Sequence, residues 1–181
     1  MSTFEEWQNR KRYPVLTPEI AATIDNDDLV QAIVDHVEDV RLKNVDRDSA
    51  EARRIVAGLP PAMRVAVTTH IMDGEIGNGG FIQYFYNGTG RYADLAVEDL
   101  RRVGAGAFAD VLAKALAVYA VEKKMIDKAR RAWFGKARAF SNLYKTSKLG
   151  EVDREWYALT EELDRMIREF VCANRGQIRS P

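Results

Sequence analysis

The chain has 181 residues, 46% of them apolar, enough for one compact domain burying roughly 70% of the surface its unfolded form would expose. Its 27 basic and 27 acidic side chains cancel, which excludes a global field driving it toward nucleic acid or an anionic membrane. The single cysteine, Cys172, excludes an intrachain disulfide and any zinc centre built from several thiolates.

The neutral total hides a split. Residues 1–100 carry 10 basic and 17 acidic side chains, residues 101–150 carry 12 and 3, and residues 151–181 carry 5 and 7. The start, MSTFEEWQNRKRYP, has acidic residues where a secretory signal has basic ones, and no apolar run follows it or approaches the length of a membrane span elsewhere. The expectation is a soluble, cytoplasmic protein.

In chain order, the apolar residues recur at helical spacing. Over 28–43, Leu29, Ile33, Val37 and Val40 form one stripe, with Asp27 or Asp28 placed to cap the start. Pro60 and Pro61 stop one helix and open the next, where Met63, Val67 and Ile71 share a face and Gly74 stands where a C-terminal cap belongs. Residues 91–102 read as a helix, bounded by Gly104 and Gly106, and Phe108, Leu112, Ala115 and Tyr119 open another. A helix over 126–140 follows, then a polar break at 141–150, then a stripe of Trp156, Leu163, Ile167 and Phe170. With no repeat or long linker, residues 1–181 are expected to form a single compact all-α domain.

The stretch 74–90, GEIGNGGFIQYFYNGTG, holds six of the twelve glycines beside four aromatics. Phe81, Ile82, Tyr84 and Phe85 are spaced for a short buried helix, ended by Asn87-Gly88. A hairpin is the competing reading, since Asn78-Gly79 and Asn87-Gly88 are tight-turn pairs, but no partner strand is evident. The stretch therefore reads as a glycine-rich elbow between two central helices. Asn78 caps the second by accepting from the amide of Gly80 or Phe81, while Gly79 and Gly80 allow close approach. Gln83 and Asn87, four apart, share a face from which they could hydrogen-bond the backbone of the preceding turn, with Glu75 adding a charged acceptor that suits a helix N-terminus. The alternative is a working site, either a small-ligand site or enzyme centred on Glu75, Asn78 and Gln83, or an anion held on the amides of Gly79 and Gly80.

Glu75, Asn78-Gly79-Gly80-Phe81, Gln83, Tyr84, Phe85 and Asn87, in this register, resemble the signature of a bacterial DNA-mimic-protein domain family. The resemblance extends over about residues 28–140. It implies a mostly helical, dimeric domain that presents a duplex-like row of carboxylates to a DNA-binding transcription regulator. The neutral net charge and the basic segment depart from the strongly acidic composition expected of such a mimic.

Three further features bear on function. His70 and Asp73, three apart, with Glu75 and His36 as further candidates, could hold a metal or orient an imidazole, but both histidines sit beside apolar faces and match no named motif. No metal, cofactor or catalytic residue is assigned, and Cys172 reads as a half-buried packing residue. Segment 123–138 is basic, with Lys124, Lys128, Arg131 and Arg138 along one side and Trp133 and Phe134 interleaved, a composition compatible with phosphate contacts. Residues 19–51 carry ten carboxylates against Arg41, Lys43 and Arg47, and Asp28, Asp35 and Asp39 recur away from the Ile33 stripe as a displayed acidic face. Three functions follow: a non-enzymatic interaction module binding a protein partner through the acidic face, a ligand site or enzyme at the glycine motif, or a nucleic-acid binder acting through 123–138.

Overall fold

A computed structural model describes residues 9–46, 49–132, 135–160 and 162–179. Helix α1 (Pro18–Ala22) starts under a cap in which the Thr17 hydroxyl accepts from the Ile20 amide. Helix α2 (Asn26–His36) follows, with Asp27 and Asp28 in its first turn, where negative charge suits the helix N-terminus. Leu29, Ile33 and Val37 of the expected stripe are buried, but Val40 is 41% exposed. The reason is a π turn over Val37–Arg41: the Leu42 amide bonds the Val37 carbonyl five residues back, so Leu42 takes the core position and Val40 is turned out.

Helix α3 (Ala50–Ala57) is capped by Ser49 and ends at Gly58. The long helix α4 (Pro61–Tyr86) begins with proline at its first position, as the sequence predicts, and bends at Gly79-Gly80. A 3₁₀ turn (Thr89–Tyr92) leads into α5 (Ala93–Arg102), then α6 (Gly106–Arg130), α7 (Lys136–Thr146), α8 (Leu149–Tyr157), α9 (Leu163–Ala173) and a last 3₁₀ turn (Arg175–Gln177). The domain is all-α, with no strand among the described residues.

Three boundaries differ from the sequence expectation. Residues 126–140 are not one helix, because α6 ends at Arg130 and α7 begins at Lys136 beyond Gly135, whose φ of 69° breaks the helix. The polar stretch 141–150 is helical through Thr146; its polar residues occupy the outer face of α7 around buried Leu143. Trp156 belongs to α8, and Leu163, Ile167 and Phe170 to α9, so that stripe spans two helices with a break between.

Helix α4 runs through the centre, packed by α2, α5, α6, α8 and α9. The aromatic block after its bend fills the core: Phe81 meets the Trp156 ring edge-on at 5.5 Å and Phe85 stacks on Tyr119 at 4.2 Å. A buried ion pair fixes α4 against α5. Asp99, fully buried, accepts from Arg64 Nη2 at 2.8 Å and from the Thr68 hydroxyl at 3.0 Å, so its charge is satisfied without water.

Candidate functional site

The break in α4 is sharp. Gly79 has φ −164° and ψ 27°, and Gly80 has φ 66° and ψ −171°, a conformation open in practice only to glycine. Breaking the helix frees backbone groups that need partners. The Tyr157 hydroxyl donates to the Ile76 carbonyl at 2.5 Å, the Tyr144 hydroxyl donates to the Gly79 carbonyl at 2.9 Å, and the Phe81 amide donates to Asp153 Oδ1 at 2.7 Å. Asp153 and its two tyrosines, from α7 and α8, therefore cap the elbow.

This corrects two details of the sequence expectation. Asn78 does not cap the second half of α4; it lies on the exposed side of the first half, and its side chain makes no hydrogen bond among the described residues. Gly74 is not a helix C-cap, because the helix continues through it and Gly77 up to the break. The cap comes from a carboxylate 72 residues away, which no local spacing reveals. Burial raises the Asp153 carboxyl above its ordinary range, an effect opposed by the Phe81 amide that it accepts from.

On the other side of the bend, the motif's polar side chains converge. Glu75 Oε2 accepts from Gln83 Nε2 at 2.9 Å and from Asn87 Nδ2 at 2.8 Å. These groups and Asn78 line a cleft of about 400 Å³, whose walls also include Glu38, His70 and Arg91. Desolvation favours the neutral form of the His70 imidazole, against the pull of Asp73, Asp35 and Asp164. Tyr84 and Phe81 face the core instead; burial strongly disfavours ionisation of the Tyr84 hydroxyl, which has no hydrogen-bond partner among the described residues. His36 is buried, with Nδ1 2.8 Å from the Tyr13 carbonyl, so it ties the N-terminal segment to α2. Among the described residues no group of three or more histidine, cysteine or acidic side chains could hold a metal ion.

The expected acidic face is altered by residues distant in sequence. Asp28 is exposed, but Asp35 is only 4% exposed and is gripped by Arg10 through bonds of 2.6 and 2.7 Å, by Gln31 at 2.9 Å and by Arg12 at 3.1 Å. Asp39, exposed, pairs with Arg12 at 3.1 Å. Asp35 is thus a buried ion-pair residue and not a displayed charge. Arg47 and Asp48 lie outside the described residues. The carboxylates that are exposed and without an ion pair among the described residues include Asp25 just before α2, Asp28 on α2, Asp73 on α4 and Asp164 on α9. Helix α9 packs on both α2 and α4, which places these acids on neighbouring elements.

On the basic segment, Lys124 and Lys128 of α6 and Arg131 just beyond it are exposed and have no carboxylate partner among the described residues. Arg138 sits on a different helix, α7, and Trp133 and Phe134 lie outside the described residues. Cys172 is half-buried, as expected.

A family model described as DMP19-like protein, a name standing for DNA mimic protein 19, matches residues 57–174, more than half of the chain. The matched segment begins and ends later than the 28–140 read from the motif, and it takes in α8 with Asp153. No curated protein matches the chain.

Proposed function

Because the chain belongs to the DMP19-like protein family, we propose that it acts by binding a protein partner, offering displayed carboxylates to the basic surface of a DNA-binding regulator in place of DNA. Family membership is the observation that carries this reading. Asp28, Asp73 and Asp164, exposed and without an ion pair among the described residues, support it, and they replace Asp35 in the proposed surface. No helix among the described residues is long and apolar enough to cross a membrane. The same reading includes a homodimer, in which the acidic and basic segments could pair across a two-fold axis.

The test is to capture the partner from native cell extract and measure its binding kinetics at several salt concentrations. Asp28→Asn, Asp73→Asn and Asp164→Asn together should weaken binding at least ~tenfold at low salt, mainly through slower association, as steered encounters do. A second reading, direct nucleic-acid binding, has Lys124, Lys128 and Arg131 in its favour. If changing these three to glutamine abolishes binding while the asparagine variant keeps it, the basic helix is the working surface.

A further inference from the structure

Helix α7 is thinly anchored, with Leu143 its one buried residue. Between it and α6 lies a groove of about 240 Å³, lined by Met125, Ala129 and Ala132 on the α6 side and by Ala139 and Leu143 on the α7 side. Met125, Ala129 and Ala132 stand at i, i+4 and i+7, a stripe of about two helical turns. The Thr146 hydroxyl in the wall donates to the Asn142 carbonyl at 3.0 Å, which leaves the lining mainly hydrocarbon.

Beside that stripe, offset by one residue, run Lys124, Lys128 and Arg131, and Lys128 also lines the groove. Like Lys136 and Arg138 of α7, they are exposed and without an ion pair among the described residues. No acidic residue occurs between Asp127 and Glu151 in the chain. The neighbouring acids of α6 are engaged, Asp127 by Lys123 at 2.8 Å and Arg130 at 3.5 Å, and Glu122 by the Ser147 hydroxyl and the Lys148 amide. An apolar recess thus sits in a positive field that its surroundings do not neutralise. Its complement is a set of apolar side chains carried on an acidic surface. One helix supplies both, with apolar residues three and four apart and carboxylates on its flanks. An anionic membrane calls for apolar residues that project, and these are recessed. A nucleic acid would use the cations through its phosphates and leave the recess empty.

We propose that the groove between α6 and α7 docks an acidic amphipathic helix of a protein partner. The helix sets its apolar side chains between Met125, Ala129 and Ala132 on one wall and Ala139 and Leu143 on the other, and its carboxylates meet Lys124, Lys128, Arg131 and Arg138. The surface uses other helices than the carboxylate surface proposed above, and either can fail without the other.

The experiment titrates the full chain into three labelled synthetic helical peptides and follows fluorescence anisotropy. The first carries leucines at i, i+3, i+4 and i+7 with glutamates elsewhere, the second replaces its glutamates by lysines, and the third replaces its leucines by alanines. The first should bind saturably, more weakly as salt rises, and each of the others at least ~tenfold more weakly. Ala139→Phe, which fills the groove, should weaken the first peptide by at least ~tenfold. Lys124→Gln, Lys128→Gln and Arg131→Gln together should do the same and flatten the salt dependence, and these exposed changes keep the test valid if Ala139→Phe fails to fold. Duplex DNA and phosphatidylserine vesicles are titrated in parallel, and light scattering compares self-association of the parent and Ala139→Phe. Equal binding of the three peptides, unaffected binding in both variants, or no saturation by ~1 mM, where affinity is only about 4 kcal/mol, overturns the proposal. So does tighter binding of DNA or vesicles than of the first peptide, or self-association that Ala139→Phe abolishes, since each assigns the groove to another occupant.

Discussion

Three of the glycines around the bend in α4, Gly74, Gly77 and Gly80, should respond to alanine in opposite directions. Gly74 and Gly77 have helical backbone, and a Cβ added to either meets nothing within 4 Å. Alanine there removes the entropic cost of a mid-helix glycine, so each change should stabilise the protein by about 0.5–1 kcal/mol. Gly80 has a positive φ, and a Cβ there would lie 2.5–2.7 Å from the Asp153 carboxylate. Holding a non-glycine residue in that conformation costs about 1–3 kcal/mol. Pushing Asp153 away also breaks its charge-assisted bond with the Phe81 amide, worth about 1.5–3 kcal/mol. Together these give about 2.5–6 kcal/mol, a large share of the total stability of about 5–15 kcal/mol for a domain. Urea denaturation of the three alanine variants measures this directly, with the midpoint rising for Gly74→Ala and Gly77→Ala and falling steeply for Gly80→Ala. A Gly80→Ala midpoint within error of the parent would refute the account of the elbow.

Asp35→Asn should destabilise by about 3–5 kcal/mol, because it leaves Arg10 without its buried counter-charge, whereas exposed Asp28→Asn should stay within about 0.5 kcal/mol; chemical denaturation separates them. Tyr157→Phe should cost about 1 kcal/mol by removing the hydroxyl that satisfies Ile76, and thermal unfolding reads that loss. The raised Asp153 carboxyl makes the folded state bind its proton more tightly than the unfolded chain does. Its contribution is complete below the ordinary aspartate pKa and is lost as pH rises through the folded value, so Asp153→Asn should remove part of the stability decline across the mildly acidic range in a pH series of denaturation midpoints. Light scattering across micromolar concentrations tests the homodimer, and a monomer mass throughout would rule it out.

Much of this protein was legible in local sequence. Helical periodicity, the Pro60-Pro61 boundary and the glycine-rich break before an aromatic block all express short-range backbone chemistry, and the structure places an all-α domain with a bend at Gly79-Gly80. The shared face of Gln83 and Asn87 was also within reach, since four-residue spacing fixes it, but that both donate to Glu75 and not to the backbone of the preceding turn follows from the bend that lies between Glu75 and the pair. What tertiary structure alone decided are the partners that come from far along the chain. Asp153 supplies the cap that Asn78 was expected to give, Arg10 and Arg12 turn Asp35 from surface charge into buried ion pair, and the π turn after α2 exchanges Leu42 for Val40 in the core. A carboxylate's role depends on which charge or amide lies within about 3 Å of it, and that distance is set by how helices pack, which helical periodicity does not encode.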